Sequence, residues 1–123
     1  MKQYRVIGKS VPRKEGWDKV SGRVKYIDDF QEIGTLHVKL LTSAYTHAYI
    51  GKIDTNEAWK VPGVRMIITG KDYPLLIGTT IKDRPLLALD KVRYYGEPIA
   101  MVIADSEAIA IQAVYSIRVT YKM

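Results

Sequence analysis

The chain has 123 residues, 47% of them hydrophobic, a formal net charge of +6 and no cysteine. That length suits one ordinary domain with a packed core, and the missing cysteines exclude a disulfide framework, a thiolate zinc or iron–sulfur site and a Cys nucleophile. No apolar run nears the ~20 residues of a spanning helix, and the opening Met1-Lys2-Gln3-Tyr4-Arg5 is too polar for a secretory signal, so a cytoplasmic protein without a membrane partner is expected.

Residues 1–16 contain Gly8, Pro12 and Gly16 without apolar periodicity and read as an extended N-terminal arm; residues 17–123 read as a single domain. Residues 18–21 allow at most one helical turn, stopped by Gly22, and 24–27 read as a short strand ending at Asp28-Asp29. Residues 36–40 alternate apolar and polar, as in a half-buried strand with Leu36, Val38 and Leu40 inward. Residues 48–53 read as the next strand. Ile50 and Ile53 would face oppositely there unless Gly51 supplies a bulge. Asp54 or Thr55 can cap a short helix through Glu57-Ala58-Trp59, Pro62-Gly63 is a turn, and 64–69 form a β-branched strand.

Residues 72–90 have no clean period and are punctuated by Pro74, Gly78 and Pro85. A loop of that length inside a compact domain is usually functional or ordered by what it contacts. Residues 99–104 are apolar throughout and read as a strand covered on both faces. Asp105 is placed to cap a helix over 105–116, with Glu107 favourable at its positive end. Its polar positions lie on a narrow line, so Ile109, Ile111 and Val114 predict burial on two sides in a larger assembly. Ile117, Val119 and Tyr121 alternate with polar residues in a last strand.

The search for chemistry is mostly negative. Gly8-Lys9-Ser10 lacks the leading glycine of a phosphate loop. His37 and His47 have no acidic neighbour at metal-ligand spacing. Ser43, Ser106 and Ser116 lack a nucleophile elbow. Glu97, held between Gly96 and Pro98, reads as an acceptor for backbone N–H groups at a corner rather than a general base. The basic residues are spaced rather than gathered into a stripe, which favours a solvated surface. A stand-alone basic nucleic-acid-binding module is the alternative. It would need aromatic residues such as Tyr26, Tyr94 and Tyr121 grouped on one open sheet face beside Arg or Lys.

Several segments taken in order carry more weight than any residue alone. They are Gly8-Lys9-Ser10-Val11-Pro12-Arg13, the Lys19-Val20-Ser21-Gly22 stretch with Tyr26-Ile27-Asp28-Asp29, Leu36-His37, His47-Ala48-Tyr49-Ile50, Pro62-Gly63-Val64, Thr69-Gly70-Lys71-Asp72, Arg84-Pro85-Leu86 and Tyr95-Gly96-Glu97-Pro98. In this order they resemble the domain that opens the large, molybdopterin-binding subunit of the xanthine dehydrogenase and aldehyde oxidase family. Ala44 and Thr46 depart from that pattern at one turn.

The resemblance implies an α+β fold, the α/β hammerhead, with a small mixed β-sheet and short helices packed on it. It implies a parent oxidoreductase that hydroxylates a purine, aldehyde or aromatic heterocycle with oxygen from water. That parent would use a molybdenum–pterin cofactor, iron–sulfur clusters and FAD, none of them held by this chain. The expected partners are the downstream molybdopterin-binding domains of the same chain and the iron–sulfur and flavin subunits or domains, with no nucleic acid. No catalytic, cofactor-binding or metal residue is transferred, and this fragment alone is expected to be inactive. Thr80 and Ile81 are the residues the resemblance brings nearest the substrate funnel.

Overall fold

The computed structural model describes residues 4–30 and 32–123, and the chain divides into two compact units, one up to Ile33 and one from Gly34 to Met123. In the first unit, helix α1 (Gly16–Val20) ends where Gly22 turns to φ +70°, and the N–H groups of Arg23 and Val24 both donate to the carbonyl of Asp18. The strand expected over 24–27 does not form. Ile27–Asp29 is a 3₁₀ turn instead, because the Asp29 carboxylate accepts the Tyr26 N–H at 2.8 Å and takes the donor a strand would have used.

The second unit holds strands β1 (His37–Thr42), β2 (Ala48–Asp54), β3 (Val64–Thr69), β4 (Leu76–Ile77), β5 (Arg84–Pro85), β6 (Lys91–Val92), β7 (Pro98–Ala104) and β8 (Arg118–Lys122), with helices α2 (Asn56–Trp59) and α3 (Glu107–Ser116). Neighbouring strands pair antiparallel in the orders β1-β7-β3, β6-β2-β8 and β4-β5. The result is an α+β arrangement of small sheets with short helices packed on them, as the motif order implied.

β7 is central because its residues are apolar throughout, and Ile99, Ala100, Val102 and Ala104 are fully buried. Burial of a side chain such as Ile99 or Val102 stabilises by about 1.5–3 kcal/mol. Helix α3 packs on β1 and β7 through Ala110 and Ala113, small residues that let it sit close to the sheet. Ala58, Ile67, Ala100, Val102, Ala113 and Ile117 form one core; Ala48, Ala88, Val92 and Ile99 form another. Ile53 and Val119 pack against both and join them.

The bulge at Gly51 is present. The register of β2 on β8 shifts between Ile50 and Ile53, so both face inward, and a Cβ on Gly51 would lie 2.8 Å from Thr120 Oγ1. That hydroxyl accepts the Lys52 N–H, also at 2.8 Å, and occupies the gap that the bulge opens.

Three expectations change. The N-cap of α3 is Ser106, whose Oγ accepts the Ile109 N–H; Asp105 is drawn away to Arg65 at 2.7 Å. The inward face of β1 is the opposite of the one its alternation suggests. His37, Lys39 and Leu41 share the phase turned to α3, Lys39 meeting Glu107 at 2.6 Å, while Val38 and Leu40 remain 49% and 47% exposed. Beyond Ala100, β7 is accordingly covered on one face only, leaving Met101 and Ile103 half-buried, whereas Ile99 lies in the second core.

Candidate functional site

The long segment after β3 is fixed at both ends. The Asp72 carboxylate accepts the N–H of Thr69 at 2.8 Å and its hydroxyl at 2.7 Å, and these bonds, the hydroxyl first, hold its pKa below the ordinary aspartate value. At the far end Ala88 N–H donates to the Pro98 carbonyl and Ile50 N–H to the Asp90 carbonyl. Between them β4 pairs with β5, Leu76 opposite Pro85 and Ile77 opposite Arg84, in a two-rung hairpin. Gly78 closes it: a Cβ there would strike the Ile81 carbonyl.

The hairpin tip surrounds an open hollow of about 710 Å³, lined by residues 77–81 with Asp83 and Arg84. Thr80 and Ile81 are both on its wall and solvent-exposed, Ile81 at 70%. Sequence reasoning missed Asp83 and Arg84. Arg84 is positioned by Tyr94, donating from Nη2 to the phenol oxygen at 3.0 Å, with its guanidinium carbon 5.8 Å from the ring centre. The pairing of Arg84-Pro85 with Leu76-Ile77 was the signal available, hidden by the shortness of the strands. The hollow presents threonine hydroxyls, one carboxylate and one guanidinium around isoleucine side chains. They supply no nucleophile activated by a base.

The other candidates resolve as structure. Glu97 is 3% exposed; its Oε2 accepts the Arg93 N–H, and its Oε1 lies 3.7 Å from Arg93 Nη1. The corner is completed by Gly96 at φ +83°, with Ser43 N–H donating to the Glu97 carbonyl and Gly96 N–H to the Ser43 carbonyl. Ser43 Oγ exchanges hydrogen bonds with the backbone of Tyr45, and Ser116 Oγ donates to the Gln112 carbonyl. Both histidines are exposed, and His47 meets Tyr49 edge-on at 6.3 Å. Among the described residues no three His, Cys, Asp or Glu side chains come together as a metal site, and no helix is long and apolar enough to cross a membrane.

The aromatic residues do not assemble a base-stacking face. Tyr26 lies outside any strand in the first unit, and Tyr94 and Tyr95 belong to the turn after β6 rather than to a strand, both exposed. Tyr121 on β8 packs against Tyr45 with ring centres 4.7 Å apart and planes tilted by 51°, and burial there raises the pKa of its hydroxyl. The nucleic-acid alternative has no support in this arrangement.

Comparison with known proteins agrees with the geometry. Residues 21–123 match the family model described as aldehyde oxidase and xanthine dehydrogenase, a/b hammerhead domain. A probable xanthine dehydrogenase subunit from Bacillus subtilis is 45% identical over 89% of this chain, which spans 15% of that protein. The nicotinate dehydrogenase large molybdopterin subunit of Eubacterium barkeri is 32% identical over 98% of this chain, which spans 29% of it. The crystal structure of quinoline 2-oxidoreductase from Pseudomonas putida 86 superposes with a TM-score of 0.88 at 37% identity, covering 98% of this chain and 16% of that one.

Proposed function

The chain belongs to the aldehyde oxidase and xanthine dehydrogenase family, and from that premise we propose that it is the structural hammerhead domain of a cytoplasmic molybdenum-dependent hydroxylase. In this reading residues 1–16 are the arm that leads into a domain of residues 17–123. The domain packs against the molybdopterin-binding domains that follow in the same polypeptide. The match of a hammerhead family model over residues 21–123 carries the proposal. The parent hydroxylates an aldehyde, purine or aromatic heterocycle with oxygen taken from water, its electrons leaving through iron–sulfur and flavin subunits or domains.

The residues of this chain do not fit those cofactors. It has no cysteine for an iron–sulfur cluster, and its described residues gather no metal-binding set. Its contribution is shape. Thr80 and Ile81, at the tip of the β4–β5 hairpin, form part of the substrate funnel.

Isotope tracing tests the reaction. Purified enzyme turning over a panel of aldehydes and N-heterocycles in oxygen-18 water should place the label in the product; label arriving from dioxygen instead would contradict the assignment. Tryptophan at Thr80 or Ile81 tests the funnel. Both positions are exposed, so the fold should tolerate the change within about 0.5 kcal/mol. KM should rise by roughly ten-fold with kcat held, as expected when a contact outside the chemical step is lost. An unmoved KM would make the hairpin an ordinary surface loop.

A further inference from the structure

The arginines of the second unit are of two kinds. Arg65 lies 2.7 Å from Asp105, Arg93 lies 3.6 and 3.7 Å from Asp90 and Glu97, and Arg118 stands opposite Asp54 across the β2–β8 rung. Arg84 is held by a neutral group instead. Its Nη2 donates to the Tyr94 hydroxyl at 3.0 Å, and its guanidinium carbon lies 5.8 Å from the centre of that ring. Among the described residues no carboxylate forms an ion pair with it, Asp83 beside it included.

A guanidinium is a planar fork of N–H donors that matches a carboxylate with two parallel hydrogen bonds. Tyr94 occupies one donor and stands against the fork, so the long side chain is already restricted before a ligand arrives, which lowers the ordering cost of binding. Its place is the wall of the hairpin hollow, whose 710 Å³ is of small-molecule size. The local charge has the same sign: residues 77–84 carry Lys82 and Arg84 against Asp83, two cations to one anion.

We propose that Arg84 is a specificity residue that selects substrates carrying a carboxylate on the ring that is hydroxylated or that bears the aldehyde. The free edge of its guanidinium takes the carboxylate, and Ile77 and Ile81 on the same wall offer apolar contact to the ring. The inference rests on the functional reading above, which puts this hairpin at the substrate funnel, and it names the substrate class. Tyr94 acts through Arg84 as its positioning residue. Asp83 on the same wall repels the same anion, so it weakens the selection that Arg84 provides. Because the carboxylate lies away from the reacting carbon, its contact acts on KM.

The test uses the full holoenzyme in oxygen-18 water with matched substrates: benzaldehydes, pyridines and purines carrying a ring carboxylate, each beside its neutral carboxamide. The readout is kcat/KM for the carboxylate divided by kcat/KM for the carboxamide. The unaltered enzyme should favour the carboxylate by about ten-fold or more, the scale of a charge-assisted bidentate contact. Arg84→Met should cut that ratio about ten-fold, chiefly by raising KM for the carboxylate. Arg84→Lys keeps the charge without the planar fork and should cut it less. Asp83 is exposed and makes no hydrogen bond or ion pair among the described residues, so Asp83→Asn gives a folded variant even where the Arg84 variants fail. It should raise the ratio by at least about two-fold. A ratio near one in the unaltered enzyme, a preference for the carboxamides, equal losses on both substrates in Arg84→Met, or a ratio unmoved by Asp83→Asn would each overturn the proposal. All four leave the hydroxylase reading standing, because product labelled from water forms in each. Product labelled from dioxygen instead, or no product from any pair, would fail that reading and the proposal with it.

Discussion

Replacing Glu97 separates a corner post from a catalytic base. Its carboxylate is almost fully buried and is the acceptor for the Arg93 N–H. Alanine removes that acceptor and leaves a part-buried donor unpaired, at a cost of about 1–3 kcal/mol. For a chain of this size each kcal/mol moves the melting temperature by roughly 3–5 °C, so Glu97→Ala should melt roughly 3–15 °C lower. Glu97→Gln keeps an acceptor oxygen in place and should lose less than half as much. Thermal unfolding of the 123-residue chain followed by circular dichroism measures both variants. The full enzyme supplies a second readout, because removing a general base costs about 10²–10⁴ in rate. Glu97→Gln should leave kcat within about two-fold of the parent. A glutamine variant that melted like the alanine one, or that lost kcat on the scale of a missing base, would refute the structural role.

Substitutions on α3 should divide by face. Ala113→Lys, at a fully buried site, should unfold the isolated chain, whereas Ile111→Lys, at a site already 38% exposed, should leave it folded but impair docking in the full enzyme. Equal tolerance of both in thermal melts would show the packing of α3 to be misassigned. Amide exchange should be fast at Leu75, Leu76, Ile77 and Ile81 and slow at residues 99–104, and equal protection would contradict a weakly held hairpin. Asp54, Asp72 and Glu107 have pKa values lowered by the Asn56 N–H with Lys52, by Thr69, and by Lys39 respectively. Their stabilisation is present above the ordinary carboxylate values of 3.8 and 4.5 and is lost as pH falls through the lowered ones. Melting temperature should therefore fall on acidification from pH 5; a flat profile would mean that these contacts do not persist in solution.

Much of the architecture is legible where one physical requirement dominates. An unbroken apolar run marks β7, the three-residue spacing of Ile50 and Ile53 points to the bulge at Gly51, and Glu97 reads as an acceptor at its corner, where it takes the Arg93 N–H. Legibility fails where a local bond competes with a pattern. Asp29 captures the Tyr26 donor and removes a strand, and Arg65 captures Asp105 and passes the cap to Ser106. The phase of β1 misled for a different reason. Alternation shows that one face is apolar, but not whether that face meets the domain's own helix or something outside it. At the hairpin, motif order pointed to Thr80 and Ile81, and the structure puts both on the wall of the hollow. Asp83 and Arg84 required the pairing of strands too short to show a period.

In the proposed reading this chain shapes a molybdenum hydroxylase without holding any of its cofactors. Metal analysis by mass spectrometry after gel filtration probes that division of labour, on the 123-residue chain and the full-length enzyme side by side. The enzyme should carry stoichiometric molybdenum and iron, and the chain alone should carry neither. Stoichiometric molybdenum on the chain alone, or none on the full-length enzyme, would overturn it.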